Sequence, residues 1–201
     1  EDYVATGFFE KAEQGLRRCL TLDPDYRLCK AWLAKTQFYM GNTETAMSLV
    51  AEAVTAGSQA LNWDYIFGYV QAGKFDLARW ALARHVVQFN IMQGNSELVY
   101  RALTEENFDF ESGAAEYEIQ YQAIHGEPYP SNAPVTFVFK KYADLAANLT
   151  HTLWWNRTDP AFLESPHRKR LIREAGIYDF WKSQGFPPQC RAIGDDDFEC
   201  D

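Results

Sequence analysis

Three short segments of one pattern, recurring at a nearly fixed interval, constrain this chain more than any other feature. They are Gly7-Phe8-Phe9-Glu10-Lys11-Ala12, Gly41-Asn42-Thr43-Glu44-Thr45-Ala46 and Gly73-Lys74-Phe75-Asp76-Leu77-Ala78, with the glycines 34 and then 32 residues apart. Four residues after each Ala comes an apolar side chain (Leu16, Val50, Leu82), and seven after it a small or medium one (Cys19, Ala53, His85). That spacing is one face of a helix. Each Gly suits the left-handed end of a preceding helix, and the acidic residue three positions on (Glu10, Glu44, Asp76) suits the first turn of the next. A single helix pair cannot bury its apolar face, so units of this period are expected to stack on one another.

Period and pattern resemble the tetratricopeptide repeat, a helix-turn-helix unit with Gly, Ala and Pro at fixed places. Pro24 stands twelve after Ala12, where that family closes its unit; the second and third units depart from it with Ser58 and Asn90. Leu33 and Ala34 match the family's small positions in the first helix of the second unit, and Tyr65 and Ile66 stand there in the third. The resemblance implies two full repeats over 27–90, preceded by a second helix over 8–22 whose partner is mostly missing. That end is expected to be open. It also implies an inner wall formed by Trp32, Lys35 and Tyr39 of the second unit and by Asp64, Phe67 and Gln71 of the third. Aromatic anchors among a few polar groups are what a peptide groove needs. The competing reading is that Trp32 and Phe67 pack against the next helix. Trp63, Trp80, Trp154, Trp155 and Trp181 are assigned to the core or to caps.

The rest of the chain also reads as helical. A helix is expected on either side of Gly94 over 89–103, another over 113–124 with Ala115, Tyr117 and Ile119 as its apolar residues, and a connection over 105–112. Pro128, Pro130 and Pro134 break the pattern. Val135, Phe139, Tyr142, Leu145, Ala146, Leu149 and Leu153 then form a stripe that predicts one long helix. Ser165 is a good N-cap for a helix with Pro166 at its first position, Leu171 and Ile172 buried, and Gly176 at its end. A last helix over 178–183 is stopped by Gly185, Pro187 and Pro188. Almost no run alternates with period two. The fold class is therefore all-α: a tetratricopeptide-type superhelix over 1–125 with a C-terminal helical extension over 126–201 packing on it.

Composition excludes several functions. The 201 residues carry 19 Lys and Arg against 28 Asp and Glu, a net charge of −9, and the only basic cluster is His167-Arg168-Lys169-Arg170. Direct nucleic-acid binding is not expected of such a chain. No apolar stretch is long enough to cross a bilayer, and membrane attachment would come only through a missing N-terminal segment. The hydrophobic share of 47% is enough for a core. No nucleophile elbow, phosphate loop, zincin helix or dinucleotide turn occurs. The four His (85, 125, 151, 167) fall in separate segments, and Asp195-Asp196-Asp197 lacks calcium-loop spacing and reads as a solvated acidic tail. Neither metal nor cofactor is expected. Asn148-Leu149-Thr150 and Asn156-Arg157-Thr158 match the glycosylation sequon. The cysteines form two local pairs ten residues apart, Cys19 with Cys29 and Cys190 with Cys200, without any C-x-x-C. Two disulfides in an oxidising compartment are one reading; Cys19 and Cys29 as small buried hydrophobes on neighbouring helices are the other.

The tail carries a second resemblance. Arg170 to Trp181, Gly185-Phe186-Pro187-Pro188-Gln189-Cys190-Arg191 and Asp195-Asp196-Asp197-Phe198-Glu199-Cys200 are similar to the terminal signature of bacterial membrane-tethered regulators. These carry a winged-helix domain, as in CadC- and ToxR-like proteins, or a class III adenylate/guanylate cyclase domain in the cytoplasm, one membrane span, and a tetratricopeptide region beyond it. The resemblance implies a periplasmic location, with the cytoplasm as the alternative, and favours a Cys190–Cys200 bridge. It implies a non-catalytic protein- or peptide-binding domain that regulates an attached head absent from this chain. Two other functions fit the same residues: a small-molecule sensor with an aromatic-lined pocket between repeats and extension, and self-association.

Overall fold

The three marked glycines turn the chain in the same way. In the computed structural model, which describes residues 2–55, 63–89, 93–129, 133–146 and 153–200, Gly7, Gly41 and Gly73 have φ of 83°, 80° and 66°. They separate α1 (Asp2–Ala5) from α2 (Phe9–Leu22), α3 (Arg27–Tyr39) from α4 (Thr43–Thr55), and α5 (Trp63–Gln71) from α6 (Phe75–Phe89). At Gly41 the N–H donates to Phe38 O at 3.0 Å and the Asn42 N–H to Gln37 O at 2.9 Å; at Gly73 the matching bonds run to Val70 O and Tyr69 O at 2.9 and 2.8 Å. This paired closure needs a left-handed residue, which glycine adopts without steric cost. The marker alanines then each donate to the residue after the glycine at 3.0 Å. Ala12, Ala46 and Ala78 are 5%, 0% and 0% exposed. A larger side chain there would push the paired helices apart.

Each helix packs on the next from α2 through α6, and the series continues into α7 (Gln93–Thr104) and α8 (Phe110–His125). Asp109 caps α8 by accepting the Ser112 N–H, and Gly126 ends it at φ 73°. Gly68 lies in the middle of α5 because the Phe38 ring of α3 occupies the space a β-carbon would take. Ser58 and Asn90 lie outside the described residues.

The extension differs from expectation in its first half. Instead of one long helix, α9 (Ala133–Val138) stops within two turns. Lys140 takes a left-handed φ of 56°, and Lys140 and Lys141 N–H close on Phe137 O and Thr136 O. Short 3₁₀ turns follow at Tyr142–Asp144 and Leu153–Trp155. The physical reason is that this segment is enclosed on every side: Val135, Phe137, Val138 and Phe139 are all buried. An apolar stripe identifies a helix only where one side faces water.

Its second half follows the capping signals. After α10 (Pro160–Leu163), α11 spans Pro166–Glu174, with Ser165 Oγ accepting the Arg168 N–H at 3.2 Å and Leu171 and Ile172 fully buried. Gly176 joins it to α12 (Ile177–Gln184), which ends at Gly185. The all-α class holds, with one addition that period-two alternation did not reveal. Strands β1 (Cys190–Ile193) and β2 (Asp197–Cys200) pair antiparallel, with Cys190 opposite Cys200.

Both cysteine pairs are bridged, Cys19 with Cys29 and Cys190 with Cys200. The acidic run is correspondingly not a tail: Asp195 and Asp196 are exposed in the hairpin turn and Asp197 opens β2. Asp197 sits 2.7 Å from both Lys169 Nζ and Arg173 Nη2.

At the expected open end, the α1–α2 corner is covered by the tail. Trp154 and Trp155 Nε1 donate to Ala5 O at 3.0 and 2.9 Å, Trp181 Nε1 to Thr6 O at 2.9 Å, and Gln189 Nε2 to Gly7 O at 2.8 Å. The tail thus satisfies the carbonyls of the α1–α2 corner. The Trp155 ring and Gln189 side chain lie so close to Gly7 that no β-carbon fits there.

Candidate functional site

Trp32, Lys35, Tyr39 and Asp64 of the expected inner wall come together, Tyr39 buried and the other three half-buried. Tyr39 is 5% exposed and packs against the Phe9 ring at 6.0 Å, while its hydroxyl donates to Asp64 Oδ1 at 2.8 Å. Lys35 Nζ lies 2.9 Å from Asp64 Oδ2 and 4.6 Å above the half-buried Trp32 ring. One carboxylate therefore links α3 to α5, taking a hydroxyl on one oxygen and an ammonium on the other. Phe67 is 2% exposed, edge-on to Phe137 of α9 at 5.5 Å and tilted against Trp63 at 5.8 Å. Gln71 stands half-buried at the end of α5, outside this cluster.

What fills the wall is the extension. Phe137 continues into Phe162 and Tyr142 at 5.1 and 5.8 Å, and Trp155 meets Phe9 at 5.3 Å. Magnitude decides whether this filling is a removable strap. Burying Val135, Phe137 and Val138 of α9, at about 1.5 to 3 kcal/mol each, contributes about 5 to 9 kcal/mol as an upper estimate. A whole domain is stable by only about 5 to 15 kcal/mol. Displacing α9 would therefore remove much of the fold's stability, and Tyr39 and Phe67 are buried as they stand; Phe67 meets α9 rather than the next helix that the competing reading named.

The basic run is also used internally. Arg168 is 4% exposed; its Nε donates to Trp154 O at 2.7 Å and its Nη1 to Leu163 O at 3.0 Å, with the guanidinium over Trp155. Burial, and then the nearby Arg157, pushes its pKa down to about 10. Arg170 Nη2 donates to the carbonyls of Tyr142, Ala143 and Leu145. Tyr142 donates to Asp159, which also lies 3.4 Å from Lys140 Nζ; burial first, and then this carboxylate, drives the phenol pKa well upward. These arginines and indole donors organise the extension, and sequence reasoning assigned none of them that task. The adjacent Trp154 and Trp155 were the available signal, since buried indoles need acceptors.

The sequon at Asn156 is structural as well. Asn156 is 3% exposed and its Oδ1 accepts Thr158 N–H and Oγ1–H at 2.9 and 2.6 Å, an Asx turn. Asn148 and His151 lie outside the described residues. Among the described residues no group of three His, Cys, Asp or Glu is placed to hold a metal ion, and no described helix is long and apolar enough to cross a membrane.

Among the described residues, accessible apolar side chains stand around the α2–α3 turn (Leu22, Tyr26, Leu28), on α8 (Ile119, Ile124) and, beside a recess, on the other side of the third helix pair. Phe75, Leu77 and Trp80 of α6 are 45%, 41% and 42% exposed, beside a recess of about 480 Å³ lined by Gly73 to Leu77. Lys74, Leu77, Trp80 and Arg84 follow one another at steps of three, three and four, which puts them on one face. The Arg84 guanidinium covers Trp80 at 5.6 Å. A smaller recess of about 250 Å³ at the α7–α8 turn holds Arg101 and Glu105 paired at 2.8 Å, together with the Asp109 cap. There Arg101 is engaged with Glu105 and Asp109 with Ser112. Compared with protein-family models, curated proteins and solved structures, the chain matches none.

Proposed function

We propose that this chain is a non-catalytic recognition module in which stacked helix pairs present the α6 face to a protein partner and regulate an attached signalling head. The observation that carries this reading is the contrast between a filled inner wall and three large apolar side chains left about two-fifths exposed within six residues of α6. Apolar patches rimmed by charge on an otherwise acidic molecule mark interaction sites. The head is a transcription factor or nucleotide cyclase of the membrane-tethered bacterial kind, which the tail resembles, and the module stands on the periplasmic side. The two bridged cysteine pairs support that side, because disulfides persist in oxidising compartments.

The test uses the full-length regulator. Replacing Leu77, Trp80 and Arg84 by Thr, Ser and Glu should change head output about as much as deleting residues 1–201, while the module's melting temperature holds. Head output indifferent to both changes would sink the proposal.

A further inference from the structure

The α6 face has internal counterparts, because the repeats supply a reference. Aligned on the glycines, Lys74, just before α6, and Leu77, Trp80 and Arg84 within it correspond to Asn42, just before α4, and Thr45, Ser48 and Glu52 within it. All four of the latter positions are exposed, polar or acidic. The helix-pair backbone therefore tolerates a fully polar face here, and the Lys-Leu-Trp-Arg face of α6 is not required by packing. It makes an apolar island edged by two basic side chains, Lys74 and Arg84, and by the exposed Asp76, on a chain of net charge −9.

A surface of opposite character lies on α8, the last helix of the stack. Of the apolar residues expected on this helix, Tyr117 is buried at 3% exposure against Phe139 and Tyr129, while Ile119 is 68% exposed. Ile119 is flanked along the helix by the exposed Ala115, Glu116 and Ala123, with Glu111 one turn further. Terminal units of a helical stack normally carry a polar outer face. This one carries an apolar ridge edged by carboxylates.

We infer that the partner of the α6 face is the α8 face of a second copy of this chain. The ridge at Ile119 seats beside Leu77 and Trp80, and Glu111 and Glu116 face Lys74 and Arg84. The inference rests on the proposed reading of α6 as a docking face, and names its occupant. Two different faces are joined, so the contact is head-to-tail: a pair keeps one α6 face, on one copy, and one α8 face, on the other, for further neighbours. Helices of 15 and 16 residues bury less than a standard interface, so the association is weak and reversible.

Sedimentation equilibrium of the full 201-residue chain tests this. At low salt the average mass should rise above 23.1 kDa with concentration up to about 0.5 mM, and salt at about 0.5 M should weaken association roughly tenfold. Lys74→Glu with Arg84→Glu should give a monomer, as should Glu111→Lys with Glu116→Lys. An equimolar mixture of the two variants should associate again, because each supplies the face the other needs. A wild type that stays monomeric, a Lys74/Arg84 variant that still associates, or a mixture that remains monomeric each overturns the inference. Should either charge variant fail to melt cooperatively, Ile119→Ser and the salt series on the unaltered chain decide in its place: the Ser variant should stay monomeric, and association that persists in it or ignores salt overturns the inference. A monomeric wild type whose head output still responds to the α6 replacement would defeat this inference and leave the proposed function standing.

Discussion

Phe67 and Trp80 belong to the same helix pair and to the same class of large apolar residue, yet one is core and the other is surface. Phe67 of α5 is 2% exposed because Phe137 arrives from seventy residues further along the chain to cover it; Trp80 of α6 is 42% exposed, with the Arg84 guanidinium over its ring. Helical spacing fixes which residues share a face. What covers that face is settled by elements elsewhere in the chain. The lesson is that recognition surfaces in such a molecule are found by subtraction, after the extension has taken the wall it needs.

The sharpest way to break this contrast is at Phe137. Phe137→Ala should cost about 3 to 5 kcal/mol, read as a lowered urea midpoint with an unchanged slope, because the ring is enclosed by Phe67, Phe162 and Tyr142. A cost under about 1 kcal/mol would mean that the wall is a groove after all. Gly68→Ala probes the other flank of α5, where the Phe38 ring occupies the β-carbon's space and is itself buried. In an ordinary helix interior this substitution gains about 1 kcal/mol. Here overpacking should reverse the sign and cost about 1 to 3 kcal/mol. A rise in melting temperature would show that α3 and α5 are not in close contact.

The parts of the fold that are legible in sequence are those decided within a turn of chain. Ser165-Pro166 starts α11, Gly176 ends it, and the three repeat glycines close their helices because each of these signals acts on neighbouring backbone groups. Lys140 shows the limit: a left-handed position where glycine is the usual choice carries a long side chain, held by Asp159 and by the Phe110 ring 4.4 Å away. Nothing local announces that. The hairpin is missed for a related reason. Strands of four residues are too short to show alternation, and what keeps them is Phe198, fully buried against Tyr178 and Trp181. On α8, two apolar rows compete, and only the arrival of Phe139 and Tyr129 decides that the Tyr117 row turns inward.

The tail offers a smaller effect with a definite pH signature. Its hydrogen bond from Lys169, joined by a backbone bond and by Arg173, lowers the Asp197 pKa to about 2. The folded value is depressed below the unfolded value of about 3.9, so the stabilisation is full above about pH 4 and disappears as pH falls towards about 2. Wild type should therefore melt above Asp197→Asn at neutral pH, and the gap should close between those two values. The carboxylate is 44% exposed, so solvent screening keeps the neutral-pH gap under about 1 kcal/mol. A gap that persists unchanged at pH 2 would place the tail's hold in packing rather than in charge.

The smallest expected effect on stability is at the outer face, and it tells most about function. Leu77→Thr, Trp80→Ser and Arg84→Glu together give α6 the face α4 already has, and should shift stability by no more than about 1 kcal/mol, since each side chain is substantially exposed. Self-association should fall at least about tenfold in the same protein. The reciprocal exchange, Thr45→Leu, Ser48→Trp and Glu52→Arg on α4, should leave folding intact and add a second docking face, so that average mass climbs at lower concentration than in the wild type. A loss of more than about 2 kcal/mol in the α6 variant would make that face structural. An α4 exchange without effect on association would show that the side chains are insufficient without the recess beside Gly73, which places recognition in the shape of the α5–α6 turn as well as in its charge.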